Sequence, residues 1–234
     1  LDPWTRLTRD VVSCERCPRL RKHCVEIARV KRRAFLDQTY WGRPVPGFGD
    51  RNARVLICGL APAAHGANRT GRMFTGDDSG NWLYAALHRA GFASQPASSS
   101  TEDGLTLRDA YITASARCAP PDNKPTPSEL AACAPFLDRE LALLPDLRVV
   151  VALGHIAWST MLACALRADA ASVPSPRPKF GHGAQTRLRL RARGPLVALL
   201  GSYHPSRQNT NTGRLTRAML DDVLKGTVPF FLQK

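Results

Sequence analysis

The chain has 234 residues, and 33 Lys and Arg against 19 Asp and Glu leave a formal net charge of +14. Arginine outnumbers lysine 27 to 6, which favours planar, bidentate phosphate binding, so a polyanion is the expected partner. No apolar run reaches the roughly 18 to 20 residues of a bilayer span, and no charged start leads into an apolar signal core, which predicts a soluble, cytoplasmic, single-domain chain without membrane contact.

Seven cysteines, an odd number without a secretion signal, argue for free thiols or metal ligation over a disulfide framework. The first two, Cys14 and Cys17, form a C-x2-C pair, a spacing that lets two thiolates reach one metal centre. Cys118 and Cys133 lie far downstream; with the pair they make a four-thiolate set that suits a tetrahedral zinc or an iron-sulfur cube equally. Cys24 competes as a ligand, whereas Cys58 and Cys164 sit in apolar contexts and read as core. Next comes the basic run Arg29, Lys31, Arg32 and Arg33 with the nearby Trp41, a phosphate-binding face by composition.

Four short apolar runs read as buried strands, at 54–58, 110–113, 148–153 and 195–200, and helical patterns alternate with them. Ser79 is the expected cap of a helix running to Gly91. Thr126-Pro127-Ser128-Glu129 has the form of a capping box and opens a helix to about Leu144. Helices at 155–167 and 214–224 complete the set. The stretches 93–103 and 171–183 read as surface insertions, and Arg187, Arg189, Arg191 and Arg193 alternate as if four guanidinium groups shared one face of a strand.

This alternation predicts an α/β fold with a parallel sheet covered on both faces. Ligands bind such sheets beyond the carboxyl ends of the strands, so the segments that follow the strands are candidates for one shared mouth. They are Gly59 to Gly66, Cys118 to Lys124, Gly154-His155 and Ser202 to Ser206. The first is unusually small-sided, so a flat ligand can approach its backbone at Gly59, Ala61, Ala63, His65 and Gly66. Neither a G-x-x-x-x-G-K-[ST] loop nor a dinucleotide fingerprint follows any strand, and no nucleotide cofactor is expected.

The Cys14/Cys17 pair, Gly59-Leu-Ala-Pro, Gly71-Arg-Met-Phe-Thr-Gly-Asp77, Cys118-Ala-Pro-Pro-Asp-Asn-Lys124, Cys133 and His204-Pro-Ser206 together resemble the uracil-DNA glycosylase superfamily, most closely its family 5. The resemblance implies a single-domain, three-layer fold with a four-stranded parallel sheet, and a structural 4Fe-4S cluster on Cys14, Cys17, Cys118 and Cys133. It implies hydrolysis of the bond between uracil and deoxyribose in DNA, with hypoxanthine as a further base, by a monomer that associates with the nucleoid through DNA.

Other branches of that superfamily carry a water-orienting acid or amide in the first motif, where this chain has Leu60, Ala61, Ala63 and Ala64. The resemblance therefore moves that role to Asp77, gives His204 the departing base and puts Asn123 and Asn209 beside water and base. Phe74 is the candidate platform for an extruded base, and the Ser206, Arg207 and Gln208 turn resembles the family segment that enters the duplex. The competing reading is a non-catalytic nucleic-acid-binding module stapled by zinc or a cluster.

Overall fold

The computed structural model describes residues 1–231. Two amphipathic helices, α1 (Pro3–Val12) and α2 (Pro18–Val30), lead into a mixed sheet. In chain order there follow β1 (Phe48–Gly49), β2 (Val55–Gly59), α3 (Ala67–Thr70), α4 (Asp78–Arg89), β3 (Ala110–Ala114), α5 (Pro127–Ala142), β4 (Val149–Leu153), α6 (His155–Asp169), β5 (Gln185–Arg189), β6 (Leu196–Ser202), α7 (Arg207–Asn211) and α8 (Arg217–Lys225). The sheet has six strands in the order β1-β3-β2-β4-β6-β5, not the four expected. The four predicted strands are its parallel centre, and β1 and β5 add antiparallel edges.

Every residue of β2, β3 and β4 is buried, as strands covered on both faces must be. One face packs through Val55, Ile57, Leu83 and Leu87 on α4 and α8. The other packs through Leu56, Val150, Leu137 and Trp158 on α5 and α6. The register Gly59↔Ala114, Cys58↔Ala152 and Leu153↔Ser202 brings the carboxyl ends of all four parallel strands to one edge.

The capping box at α5 forms as expected: Thr126 accepts from the Glu129 amide at 3.2 Å and Glu129 from the Thr126 amide at 2.7 Å. Two other expectations are corrected. The N-cap of α4 is Asp77, not Ser79, because the Asp77 carboxylate takes the Gly80 amide at 2.8 Å. The arginine run shares no single strand face, since β5 ends at Arg189 and the chain then turns through Arg193 at φ +60°. Arg189 pairs with Asp169, Arg191 donates to the carbonyls of Leu144 and Pro145, and Arg187 lies over the Phe230 ring.

The N-terminal helices are fastened to α5 by charge. Arg19 forks onto both carboxylate oxygens of Glu129 at 2.8 Å each and so holds that carboxyl down at about 2 against an ordinary 4.5. A depressed carboxylate stabilises the fold fully above pH 4.5 and loses that contribution as pH falls toward 2. Denaturant unfolding at pH 6 and pH 3 should therefore show a larger loss for the wild type than for Arg19→Gln. Equal losses would remove this pair from the acid response.

Candidate functional site

A cleft of about 1030 Å3 opens at the carboxyl edge of the sheet. Three of the four post-strand segments line it. Leu60 to Gly66 and Phe74 to Ser79 follow β2, Asp122 and Asn123 follow β3, and His204 to Gln208 follow β6. The fourth does not. Gly154 backs the His204 side chain, and His155 is exposed and meets Phe180 edge-on. Gly59 ends β2 behind the Phe74 ring.

The floor is apolar and small-sided, made by Ala61, Ala63 and Ala64. Phe74 stands over it with φ +55°, a left-handed conformation uncommon for a bulky residue. Its ring stacks on His204, with centroids 5.8 Å apart and planes 30° from parallel. Asp77 enters from the start of α4. One carboxylate oxygen caps the helix, and the other lies where a side chain on residue 66 would be, 2.0 Å from an ideal Cβ built on Gly66. Glycine at 66 is thus a condition for this position of Asp77.

Burial moves the two titratable groups in opposite directions. It raises the Asp77 carboxyl above its ordinary range, with Asp78 adding to the shift and the Gly80 and Ser79 amides opposing it. It pushes the His204 imidazole down to about 4, so His204 is neutral at pH 7 and keeps one N–H donor. The Asn209 side-chain amide donates to the His204 carbonyl at 2.9 Å, and Asn209 lies outside the cleft lining. Asn123 sits exposed on the rim at φ +56°. His65 meets the Tyr40 hydroxyl through Nδ1 at 3.0 Å. Ser206 caps α7, Gln208 is exposed, and Arg207 forms an ion pair with Asp78 across the mouth.

Several site residues carry no signal in the sequence. Arg69 is 8% exposed, yet it donates to the carbonyls of His65 and Gly76 at 2.7 Å each and to Gln38 at 2.6 Å. Phe35 and Gln38 line the cleft from a segment read only for its charge. The stretch 93–103 is more than a surface insertion, because buried Ser98 lines the cleft and bonds Thr75 and Arg72. The stretch 171–183 stays at the surface, with no buried residue, and is tied down where Trp158 donates to the Pro178 carbonyl and Phe180 meets Trp158 and Tyr203.

The four predicted ligands come from the α1–α2 turn, the segment after β3, and α5. Among the described residues no group of three or more His, Cys, Asp or Glu side chains is set to hold a metal ion. The four cysteines are nonetheless electrostatic neighbours, Cys17 of Cys133 and Cys14, Cys133 of Cys14, and Cys118 of Cys133. Burial pushes the Cys17 thiol up to about 11. Buried Cys24 faces Cys118 and contacts the Ala119 carbonyl at 3.6 Å. Cys58 and Cys164 are core residues.

Arg117 supplies a test of what this set accepts. It is 1% exposed and paired with Glu140, yet its Nε and Nη1 have no hydrogen-bond partner. Its backbone amide and its charge both act to lower the Cys133 thiol against the effect of burial. Buried donors without acceptors are rare, and a group on four thiolates brings negative charge and acceptors. The donor set and its charge therefore fit such a group.

A profile described as the uracil DNA glycosylase superfamily matches residues 46–226. The type-5 uracil-DNA glycosylase of Mycobacterium tuberculosis (strain CDC 1551 / Oshkosh) is 57% identical over 213 residues, 91% of this chain and 76% of that protein. The type-5 uracil-DNA glycosylase of Thermus thermophilus is 52% identical over 218 residues, 92% of each chain. A type-4 uracil-DNA glycosylase of Pyrobaculum aerophilum is 30% identical over 168 residues, 71% of this chain and 74% of that one.

A neutral His204 makes a spectroscopic prediction. Its imidazole resonances in the free protein should stay unshifted from pH 8 to pH 6 and titrate with a midpoint near 4. A midpoint at the ordinary 6.5 would restore an imidazolium to the cleft.

Proposed function

The chain belongs to the uracil-DNA glycosylase superfamily, and from that premise we propose that it hydrolyses the bond between uracil and deoxyribose in DNA, leaving an abasic site. One observation carries the reading: a desolvated carboxylate, a neutral imidazole and an aromatic ring share one small-floored cleft, as Asp77, His204 and Phe74 do.

An extruded base would slide over Ala61, Ala63 and Gly66 and lie against the Phe74 ring. Asp77, ionised above its raised pKa, orients the attacking water and opposes the positive charge growing on the sugar. The His204 N–H donates to the base oxygen as negative charge collects there, and a neutral donor does this without a proton transfer. Asn123 at the rim steadies the water, and Ser206, Arg207 and Gln208 enter the gap left in the duplex. A cleft of about 1030 Å3 has room for hypoxanthine as well as uracil. Its floor presents no side chain that would reject a second ring.

The cysteine set supports a 4Fe-4S cluster held by Cys14, Cys17, Cys118 and Cys133. Bound there, the cluster supplies a covalent tie among three chain segments and no step of the cleavage. Cys118→Ala should bleach the protein's visible absorbance and lower its stability. Full absorbance in that variant would take Cys118 out of the ligand set.

The function is tested by incubating the protein, without added metal or nucleotide, with a duplex carrying one uracil or one hypoxanthine, then treating with alkali. Scission only after alkali supports a monofunctional glycosylase, whereas no scission on either base leaves a nucleic-acid-binding module. Asp77→Asn should slow uracil release by about 100- to 10,000-fold with DNA binding retained; unchanged turnover would place the water elsewhere. Raising salt from about 50 to 200 mM should weaken DNA binding by about three orders of magnitude if some six phosphates are contacted.

A further inference from the structure

Leu36 is 59% exposed, among the most exposed large apolar residues of the described chain. It stands at the tip of a loop between Lys31 and Tyr40 that also gives Arg32, Phe35 and Gln38 to the rim of the cleft. Exposed apolar side chains are common and by themselves carry no meaning. Here, however, the base of the loop is locked by bonds that leave the tip projecting.

Lys31 caps α2 in a left-handed conformation, φ +58°, and its ammonium returns to the Leu36 carbonyl at 3.1 Å. The Arg69 guanidinium lies 3.9 Å from the Phe35 ring centroid and donates to Gln38. Tyr40 is buried and bonds the Arg32 amide at 3.4 Å and His65 at 3.0 Å. Arg32 and Arg33, both exposed, precede the tip and the exposed Asp37 follows it; neither arginine forms an ion pair among the described residues. A braced loop with an apolar tip preceded by two solvent-facing guanidinium groups matches the chemistry of a wedge that unstacks base pairs while the neighbouring cations hold phosphate.

We propose that the Lys31–Gln38 loop is a second duplex-reading element, with Leu36 entering the base stack beside the extruded nucleotide and Arg32 and Arg33 gripping the adjoining backbone. It works with the Ser206–Gln208 turn, which supplies another part of the same cleft's rim. The partner is base-paired DNA. This inference rests on reading the cleft as a glycosylase site, and it adds a residue that makes extrusion from a duplex easier and contributes nothing to cleavage once the base is out.

The test compares uracil release from a base-paired duplex and from a single strand of the same sequence, using the whole protein under single-turnover conditions. Leu36→Ala, on an exposed side chain that holds no core, should lower the duplex rate by about tenfold or more and leave the single-strand rate unchanged. Leu36→Phe should restore the duplex rate, because a wedge needs apolar bulk. Equal rates for Leu36→Ala and wild type on duplex, or an equal fall on both substrates, would overturn the wedge. A wild type that releases uracil from neither substrate would instead overturn the glycosylase reading itself.

Discussion

The buried guanidinium of Arg69 is the interaction on which the site depends. It has three hydrogen-bond acceptors and one aromatic face around it: the carbonyls of His65 and Gly76, the amide oxygen of Gln38, and the Phe35 ring. They come from three structural pieces: His65 from the small-sided floor, Gly76 from the turn into Asp77, and Gln38 and Phe35 from the basic loop at the rim. A planar group with five donors can hold three such pieces at once, which a lysine ammonium could not do with the same geometry. The turn must come close for this to work. Gly76 adopts φ +79°, and a Cβ there would lie 2.4 Å from Arg69 Nη2.

With the pieces held, the chemistry of the cleft follows from one cause acting on two groups. Loss of water raises the carboxyl of Asp77 and lowers the imidazole of His204, since in both cases it disfavours the charged form. At Asp77 the Gly80 and Ser79 amides partly oppose the shift. At His204 burial acts alone and leaves the imidazole neutral at pH 7. In the proposed reaction, Asp77 on the sugar side and His204 on the base side would give the division of charge that a bond breaking to an oxocarbenium-like sugar and an anionic base requires.

Arginine's dominance of the positive charge has two meanings, which the total of +14 runs together. Many of these residues are internal struts: Arg19 to Glu129, Arg54 to Asp109, Arg72 to Asp103, Arg89 to Asp221, Arg117 to Glu140 and Arg167 to Asp138. Charge that faces the cleft without an ion pair among the described residues includes Arg32 on its rim, with the exposed Arg33 beside it. Arg207 on another part is held by Asp78. The strut at Arg117 differs from the rest. Its pairing with Glu140 uses one end of the guanidinium and leaves two buried donors beside the cysteine set, so the polar interior of the fold and the thiol site are parts of one arrangement.

The amino-acid sequence by itself determined the parallel centre of the sheet, the capping box at Thr126, the cysteine spacing and the order of the loops that carry Asp77 and His204. These are local patterns: an apolar run, a cap and a motif are each written in a few consecutive residues. Tertiary structure alone decided the rest. The edges β1 and β5 are short or polar and become strands only by pairing with β3 and β6. The post-β4 segment fell behind His204 and not into the mouth, Asn209 turned to a carbonyl, and the 93–103 stretch delivered Ser98 to the cleft, all through contacts between residues far apart in the chain. The charge state of His204 and the burial of Arg69 belong to the same class, because desolvation is a property of the surroundings that folding assembles and no neighbouring residue in the sequence encodes it.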